Sequence, residues 1–355
     1  MEVSKVTKRF DKFAAVDDVT FDIYDGEFFT LVGPSGSGKT TLLRMLVGME
    51  KPTSGELKLR GKVINELPPN KRPTCMVFQS LALFPHMTVG QNVEFPLNLR
   101  GVSSSDRRTR SFELLNLLHL NPEHYYQKNV TQCSGGERQR VALARALAYD
   151  PDILFFDEPL SAIDAQLRKV LQKELKDIQR RTKKTFCYVT HSLEEAMVMS
   201  DRVAILRKGA IEQIATPDEI YSTPKNAFVA EFMGEVNLLS ITMRGRHLAD
   251  WHTGRNGLPP IRVHIPESIM TTEGHTDRKL LIRPESLRFL GPTETAENTV
   301  PVAIINEFSL GSRMQYHVQV AQGCTLIVEC LREHRIKENR AILGWETCDS
   351  QVLEA

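Results

Sequence analysis

Gly33-Pro34-Ser35-Gly36-Ser37-Gly38-Lys39-Thr40-Thr41 is the stretch around which the rest of this chain reads. A glycine, four residues, then Gly-Lys-Thr is the spacing of a phosphate-binding loop. Both flanks agree with that reading. Residues 28–32 (FFTLV) form a short apolar run expected to be a buried strand, and 41–47 (TLLRMLV) a helix closed by Gly48. Glycines allow successive backbone N–H groups to turn inward on phosphates, and a helix N-terminus adds partial positive charge. Lys39 is placed to reach the terminal phosphates, and the Thr40 hydroxyl to ligate Mg²⁺. A Gly/Ser-rich surface turn would need neither flank. The expectation is a nucleoside triphosphate site.

The chain has 355 residues, more than one compact core holds, so two or more domains are expected. Lys+Arg of 45 against Asp+Glu of 44 leaves a net +1, and bulk charge gives no reason to expect nucleic acid as a partner. No apolar run approaches the ~18 residues of a spanning helix. The opening MEVSKVTKRF lacks the continuous apolar core of a secretion signal. Six cysteines show neither metal spacing nor disulfide-like clustering, which points to a reducing, cytoplasmic setting.

Upstream of the loop, Val16, Val19, Phe21 and Ile23 suggest an antiparallel meander with a hairpin turn at Asp25-Gly26. Phe10 reads either as a stacking surface for a base or as a core aromatic. Downstream, residues 74–78 (TCMVF) read as a buried strand ending in Gln79. A polar amide at that end of an α/β sheet is either a ligand contact or a plain strand terminus. Residues 80–150 change character to helical patterns, with a helix expected over 108–120, and look like an insertion. The insertion ends at Cys133-Ser134-Gly135-Gly136-Glu137, followed by a helix over 141–148. Ser134 with Glu137 makes a capping box. Two consecutive glycines weaken a first helical turn, so an anion site at Ser134, Gly135 and Gly136 is the preferred reading.

Residues 153–156 (ILFF) are a third buried strand delivering Asp157 and Glu158. One acid there suits a Mg²⁺ shell and its neighbour a general base, the two pointing to opposite sides of the strand end. Asp164 opens an amphipathic helix, and residues 185–190 (TFCYVT) form a fourth strand carrying His191 at its exit. His191 at the same sheet edge reads as a γ-phosphate sensor. Thr216-Pro217-Asp218-Glu219 is a helix start.

Beyond Gly234 the chain reads as β-rich, with alternation at 314–320 and 324–330 around Ala321-Gln322-Gly323 marking a hairpin. Short strands in a compact region suggest a small barrel of oligonucleotide/oligosaccharide-binding type. Trp251 and Trp345 are isolated, with no basic-aromatic face, so nucleic acid is not expected there either.

Taken together, the loop at 33–40, Gln79, Ser134-Gly135-Gly136, the 153–158 acid strand, Ser161-Ala162-Ile163-Asp164 and His191 resemble the ATPase subunit of ATP-binding-cassette importers. Two positions depart from the family pattern, Cys133 and Ile163 standing where leucine is usual, both apolar for apolar. The resemblance implies an α/β P-loop NTPase over 1–234, with a helical subdomain at about 80–150, and a transport-associated barrel over 235–355. It implies ATP and Mg²⁺ as ligands, with Thr40, Gln79 and Asp157 around the metal. Glu158, Gln79 and His191 become catalytic, Phe10 an adenine platform, and Ser134 through Gly136 with Asp164 part of the nucleotide contacts. It also implies a homodimer, transmembrane permease subunits and a periplasmic or extracellular solute-binding protein, at the cytoplasmic face of the inner membrane. Leu81, Leu83, Phe84, Pro85 and Met87 are then either a partner-facing groove or ordinary core. Residues 228–237 with the 75–97 segment are most similar to spermidine/putrescine importers, with ferric-iron importers the alternative.

Overall fold

Continuous apolar runs can be buried on both faces, and four of them meet here in one parallel sheet. The computed structural model describes residues 1–161, 163–252, 260–266, 277–320, 323–336 and 338–354, so the expected contributions of Ala162, Ala321 and Gln322 lie outside the described residues. The chain packs as two units, Met1–Glu219 and Ile220–Ala355.

In the first unit a six-stranded sheet runs in the order Ala210–Ala215, Arg202–Arg207, Phe28–Val32, Thr185–Thr190, Ile153–Asp157, Thr74–Val77. Only the edge strand Ala210–Ala215 is antiparallel to its neighbour. Every residue of Phe28–Val32 and Thr185–Thr190 is buried. Alternation sends successive side chains to opposite faces, so Phe155 joins the core over the helix Lys39–Val47 while Phe156 joins the helical side. Phe156 packs there against Phe186 and Tyr188, at ring separations of 5.0 and 5.9 Å.

A second, antiparallel sheet of Phe13–Asp22, Glu2–Phe10, Ser54–Leu59 and Lys62–Val63 covers one side. Asp25-Gly26 does not close a hairpin within it, as the sequence suggests. It links Phe13–Asp22 to Phe28–Val32, which lie in different sheets, and the hairpin itself pairs Phe10 with Phe13. The helical segment holds Val89–Leu99, Ser104–Leu117, Pro122–Tyr125 and Gly135–Ala148. The expected helix at 108–120 starts four residues earlier, because the Ser103 hydroxyl accepts from the Asp106 amide and caps it.

Arg72 is buried among carbonyls with no carboxylate beside it. Its guanidinium donates to Met45 and Leu46 at 2.8 Å, Ile64 at 2.7 Å and Leu67 at 2.8 Å. It thereby satisfies orphan carbonyls at the end of the helix Lys39–Val47, where Gly48 turns left-handed. A Cβ at Gly48 would lie 2.5 Å from Arg72 Nε.

In the second unit two antiparallel five-stranded sheets enclose one core. One runs Ile261–His264, Leu248–His252, Asn237–Met243, Asp277–Ile282, Ser350–Glu354; the other Arg288–Leu290, Arg340–Trp345, Asn298–Ser309, Arg313–Val320, Thr325–Leu331. The expected hairpin is Arg313–Val320 with Thr325–Leu331, placing Tyr316 opposite Val328 and Val318 opposite Leu326. Both tryptophans, isolated in sequence, fill the shared core. The packing division falls before Gly234, because Arg283 donates to Tyr221 O, Ala230 O and Glu235 O and holds that segment within the second unit.

Arg72→Met should leave several buried carbonyls without donors, at about 1–3 kcal/mol for each one that water does not reach. Urea unfolding of the variant is expected to show a loss of at least ~2 kcal/mol; an unchanged midpoint would refute this account of Arg72.

Candidate active site

The parallel sheet places the ends of Phe28–Val32, Thr74–Val77, Ile153–Asp157 and Thr185–Thr190 along one edge, where loops carry the chemistry of such sheets. Residues 33–38 leave the first of these and wrap into the helix Lys39–Val47. Gly38 is its N-cap at φ 102°, and no side chain caps the helix, so its first amides are free for an anion. The turn is also tight. A Cβ at Gly38 would lie 2.3 Å from Ala15 O, and one at Gly33 would lie 2.2 Å from Leu206 O. Pro34, Ser35 and Gly36 form an exposed rim, while the Ser37 hydroxyl is buried without a hydrogen-bond partner.

Lys39 is only 6% exposed. Its ammonium donates to Gly33 O at 2.8 Å and Pro34 O at 3.0 Å, folding back over the loop it belongs to. Burial lowers its proton affinity, and the charges of Glu158 and then Asp157 oppose that. The Asp157 carboxyl is pushed above its ordinary value by burial first and by Glu158 second, with Arg44 and Lys39 pulling the other way. The buried Lys39 ammonium and the exposed Arg44 guanidinium are thus the cations in whose field Asp157 lies, and Lys39 also feels Glu158.

Strand alternation, the reason the sequence offers for separating those two acids, does not reach the second of them. The strand ends at Asp157, and Glu158 turns left-handed at φ 46°, its amide donating to Val189 O at 2.9 Å. The neighbouring strand thus sets the direction of Glu158. Its carboxylate lies 3.1 Å from His191 Nδ1, with side-chain exposures of 26% for Glu158 and 60% for His191. Gln79 Nε2 donates to Ser161 Oγ at 2.9 Å, and Ser161 Oγ donates to Glu158 O at 2.9 Å. Gln79, Glu158 and His191 are therefore one arrangement beside the loop residues Gly33 to Thr41.

Other expected residues stand apart within the unit. Ser134 caps the helix Gly135–Ala148: its hydroxyl accepts from Glu137 N at 3.3 Å while Ser134 N donates to Glu137 Oε2 at 2.8 Å. A Cβ at Gly135 would meet nothing within 4 Å, so the chain's own packing does not ask for glycine there. Asp164 caps the helix Ala165–Thr182 through Leu167 N. Phe10 is 45% exposed at a strand end, with Lys8 Nζ 5.0 Å from its ring centroid; it is a surface aromatic and not core.

Two further residues bear on the site. Ser161 bridges Gln79 to the Glu158 carbonyl, and because its bond with Gln79 spans 82 residues it leaves no local signal. Arg44 sits one helical turn past Thr40 and Thr41, a spacing that could have drawn attention to it.

A family model of ABC transporter domains matches residues 16–161, and one of TOBE domains matches residues 280–353. A spermidine/putrescine import ATP-binding protein of Thermotoga maritima is 41% identical over 368 residues, covering 100% of this chain and 98% of its own. A protein of the same description from Pseudomonas aeruginosa is 50% identical over 243 residues, 68% of this chain and 66% of its own. A bacterial ABC transporter cassette solved as a dimer is 33% identical with a TM-score of 0.54, covering 61% of this chain and 98% of that one. The same cassette, solved in a post-hydrolysis state with ADP and Pi, is 33% identical with a TM-score of 0.53, over 61% and 98% of the two chains.

Gly38→Ala should combine a left-handed backbone, costing roughly 1–2 kcal/mol, with a clash against a backbone carbonyl that cannot swing aside. Thermal unfolding should fall and titration with a fluorescent nucleotide should show lost affinity. A variant with both properties unchanged would mean that the loop can be rebuilt without this glycine.

Proposed function

The chain belongs to the ABC transporter family, and from that membership we propose that it is the ATP-hydrolysing subunit of a polyamine importer, working through separate membrane permease subunits. The observation that carries the catalytic part is the placement of Glu158, held left-handed against the next strand, paired with His191 and facing the Lys39 loop. Membership extends along the whole chain, since the Thermotoga relative matches 100% of it. Spermidine and putrescine come from the names of such relatives, because the solute itself does not meet this subunit.

The roles follow from charge and reach. Free amides at the start of Lys39–Val47 and the Lys39 ammonium take the phosphates of ATP, and a triphosphate would replace the carbonyls that Lys39 now holds. Phe10 offers an exposed ring for the adenine. The residues present fit Mg²⁺: Asp157 and Glu158 are adjacent carboxylates in the field of Lys39, Thr40 follows Lys39 in the loop, and Gln79 is linked through Ser161 to the main chain of Glu158. Such an ion is ordinarily held by one or two carboxylates together with substrate phosphates. Asp157, Thr40 and Gln79 would hold it, and bound there it would neutralise charge developing on the phosphates. Glu158 takes the proton of the attacking water, and His191, bonded to that carboxylate, orients it and meets the γ-phosphate.

Ser134, Gly135 and Gly136 act on a second copy. Their helix N-terminus is exposed, and Gly135 has open space around it, which suits the close approach of another chain's nucleotide. Asp164 belongs to the same contact. The assembly would sit at the cytoplasmic face of the inner membrane, fed by a solute-binding protein outside; among the described residues no helix is long and apolar enough to cross. The TOBE match at 280–353 lies in the second packing unit, Ile220–Ala355, which is proposed to be separable from the ATPase; the division at 234/235 expected from sequence would leave the segment that Arg283 holds on the ATPase side.

Glu158→Gln preserves size and removes the base. Hydrolysis should fall by about 10²–10⁴-fold while ATP binding survives, and the protein should accumulate as an ATP-bound dimer. Normal turnover in that variant would move the base elsewhere, with His191 the next candidate.

Ser134→Arg separates the two uses of the helix start. A cap alone would lose roughly 1 kcal/mol of stability. The interface reading requires in addition that ATP-dependent dimerisation disappears on size exclusion while nucleotide binding by the monomer persists; a variant that still dimerises with ATP would sink it.

A further inference from the structure

Leu81 and Ala82 leave the sheet just after Gln79, and both stand in the left-handed region, at φ 60° and 46°. Neither is glycine, and neither carries a short polar side chain that could bond its own backbone there. Two such residues in succession persist only where the surroundings hold them.

The holder is Arg145, reaching across from the helix Gly135–Ala148. Its guanidinium donates to Leu81 O at 2.8 Å and to Ala82 O at 2.7 Å, one fork spanning two successive carbonyls. The same group lies over the Phe84 ring, 5.5 Å from its centroid. Phe84 is fixed in turn by buried Asn92, which accepts from Phe84 N at 2.9 Å and donates to Phe84 O at 3.2 Å. The far side of the turn is pinned where Leu81 N donates to Phe78 O at 2.8 Å. Leu81 and Leu83 pack on the core beside these contacts, and Arg145 is the group that meets the two left-handed residues themselves; Gln79, two residues before Leu81, reaches Ser161.

We propose that Arg145 is a positioning residue: by holding the left-handed Leu81–Ala82 turn it directs Gln79 onto Ser161, whose hydroxyl donates to the main-chain carbonyl of Glu158, and so ties the helix that begins at Ser134 to the backbone that carries the catalytic carboxylate. This rests on the ATPase reading above. The role differs from fold support, because the Gln79–Ser161–Glu158 hydrogen bonds join the turn to the site directly. A small misplacement of such a group can reduce a rate by on the order of 100-fold.

The test is a double-variant cycle in the full chain, with ATP turnover and binding of a non-hydrolysable ATP analogue both measured. Arg145→Met keeps most of the stem and removes both donors; its kcat should fall on the order of 10- to 100-fold with analogue affinity unchanged. Arg145→Lys, which can reach one carbonyl but not bridge two, should fall less and serves in the same comparisons if the methionine variant does not fold. Adding Ala82→Gly should restore much of the lost kcat, since glycine adopts positive φ unaided. Adding Arg145→Met to Gln79→Ala should cost nothing further, because residues acting through one another are not additive. Wild-type kcat in both Arg145 variants, no recovery with Ala82→Gly, or losses that multiply with Gln79→Ala would each overturn the proposal. A wild-type chain that binds ATP without hydrolysing it would remove the ATPase reading, and this proposal with it.

Discussion

One buried ammonium facing two successive carboxylates is the constraint on which the nucleotide unit depends. Charges that share a partly buried site interact more strongly than they would in water, so the balance among Lys39, Arg44, Asp157 and Glu158 matters. Burial works against Lys39 and Asp157 in opposite senses, weakening the proton's hold on the first and strengthening it on the second. The fold accepts this because Glu158 stays partly open to water and Lys39 occupies two carbonyls of its own loop. Those are provisional partners. A phosphate offers the ammonium a better one, and the acid pair suits a divalent cation arriving with that phosphate.

Getting three charges into one place is the work of the sheet. Lys39 follows one strand, Asp157 and Glu158 end another, and Thr185–Thr190 lies between those two strands. That middle strand also fixes Glu158 through Val189 O and delivers His191. Moving any strand by one position would turn every one of its side chains to the opposite face. The apolar runs that bury the sheet on both sides therefore also set the geometry of the acid.

The same runs explain what could be read in advance. Residues 28–32 and 185–190 are strands with the expected bounds, because five or six consecutive apolar or β-branched residues have few other places to go. The phosphate loop was legible since its glycines answer a local steric demand. What could not be read is settled by distant partners. Asp25-Gly26 has hairpin chemistry, yet Phe28–Val32 is drawn into the parallel sheet by strands more than 150 residues away in sequence. Nothing in Leu81-Ala82 announces a left-handed turn, because the reason for it is an arginine 64 residues downstream of Leu81. In the second unit the Arg313–Val320 hairpin was visible from alternation alone, whereas the order of the two five-stranded sheets depends on pairings such as Asn237–Met243 with Asp277–Ile282.

Glycines divide along the same line, and the division carries information about partners. Gly33 and Gly38 are required by this chain itself, since a Cβ at either would strike a backbone carbonyl of the same unit. Gly135 answers to no such demand: its surroundings are open, its φ is ordinary, and alanine would make the better helix start. A residue that weakens its own helix without relieving any internal clash is explained by something outside the chain that must come close. Beside it the Ser134 hydroxyl already accepts from Glu137 N, and Ser134 and Gly135 are exposed while Gly136 is buried. Under the proposed function the loop at Gly33–Thr41 and the turn at Ser134–Gly136 would be two halves of an anion site with different origins, the first shaped by the fold and the second answering to another molecule's phosphates.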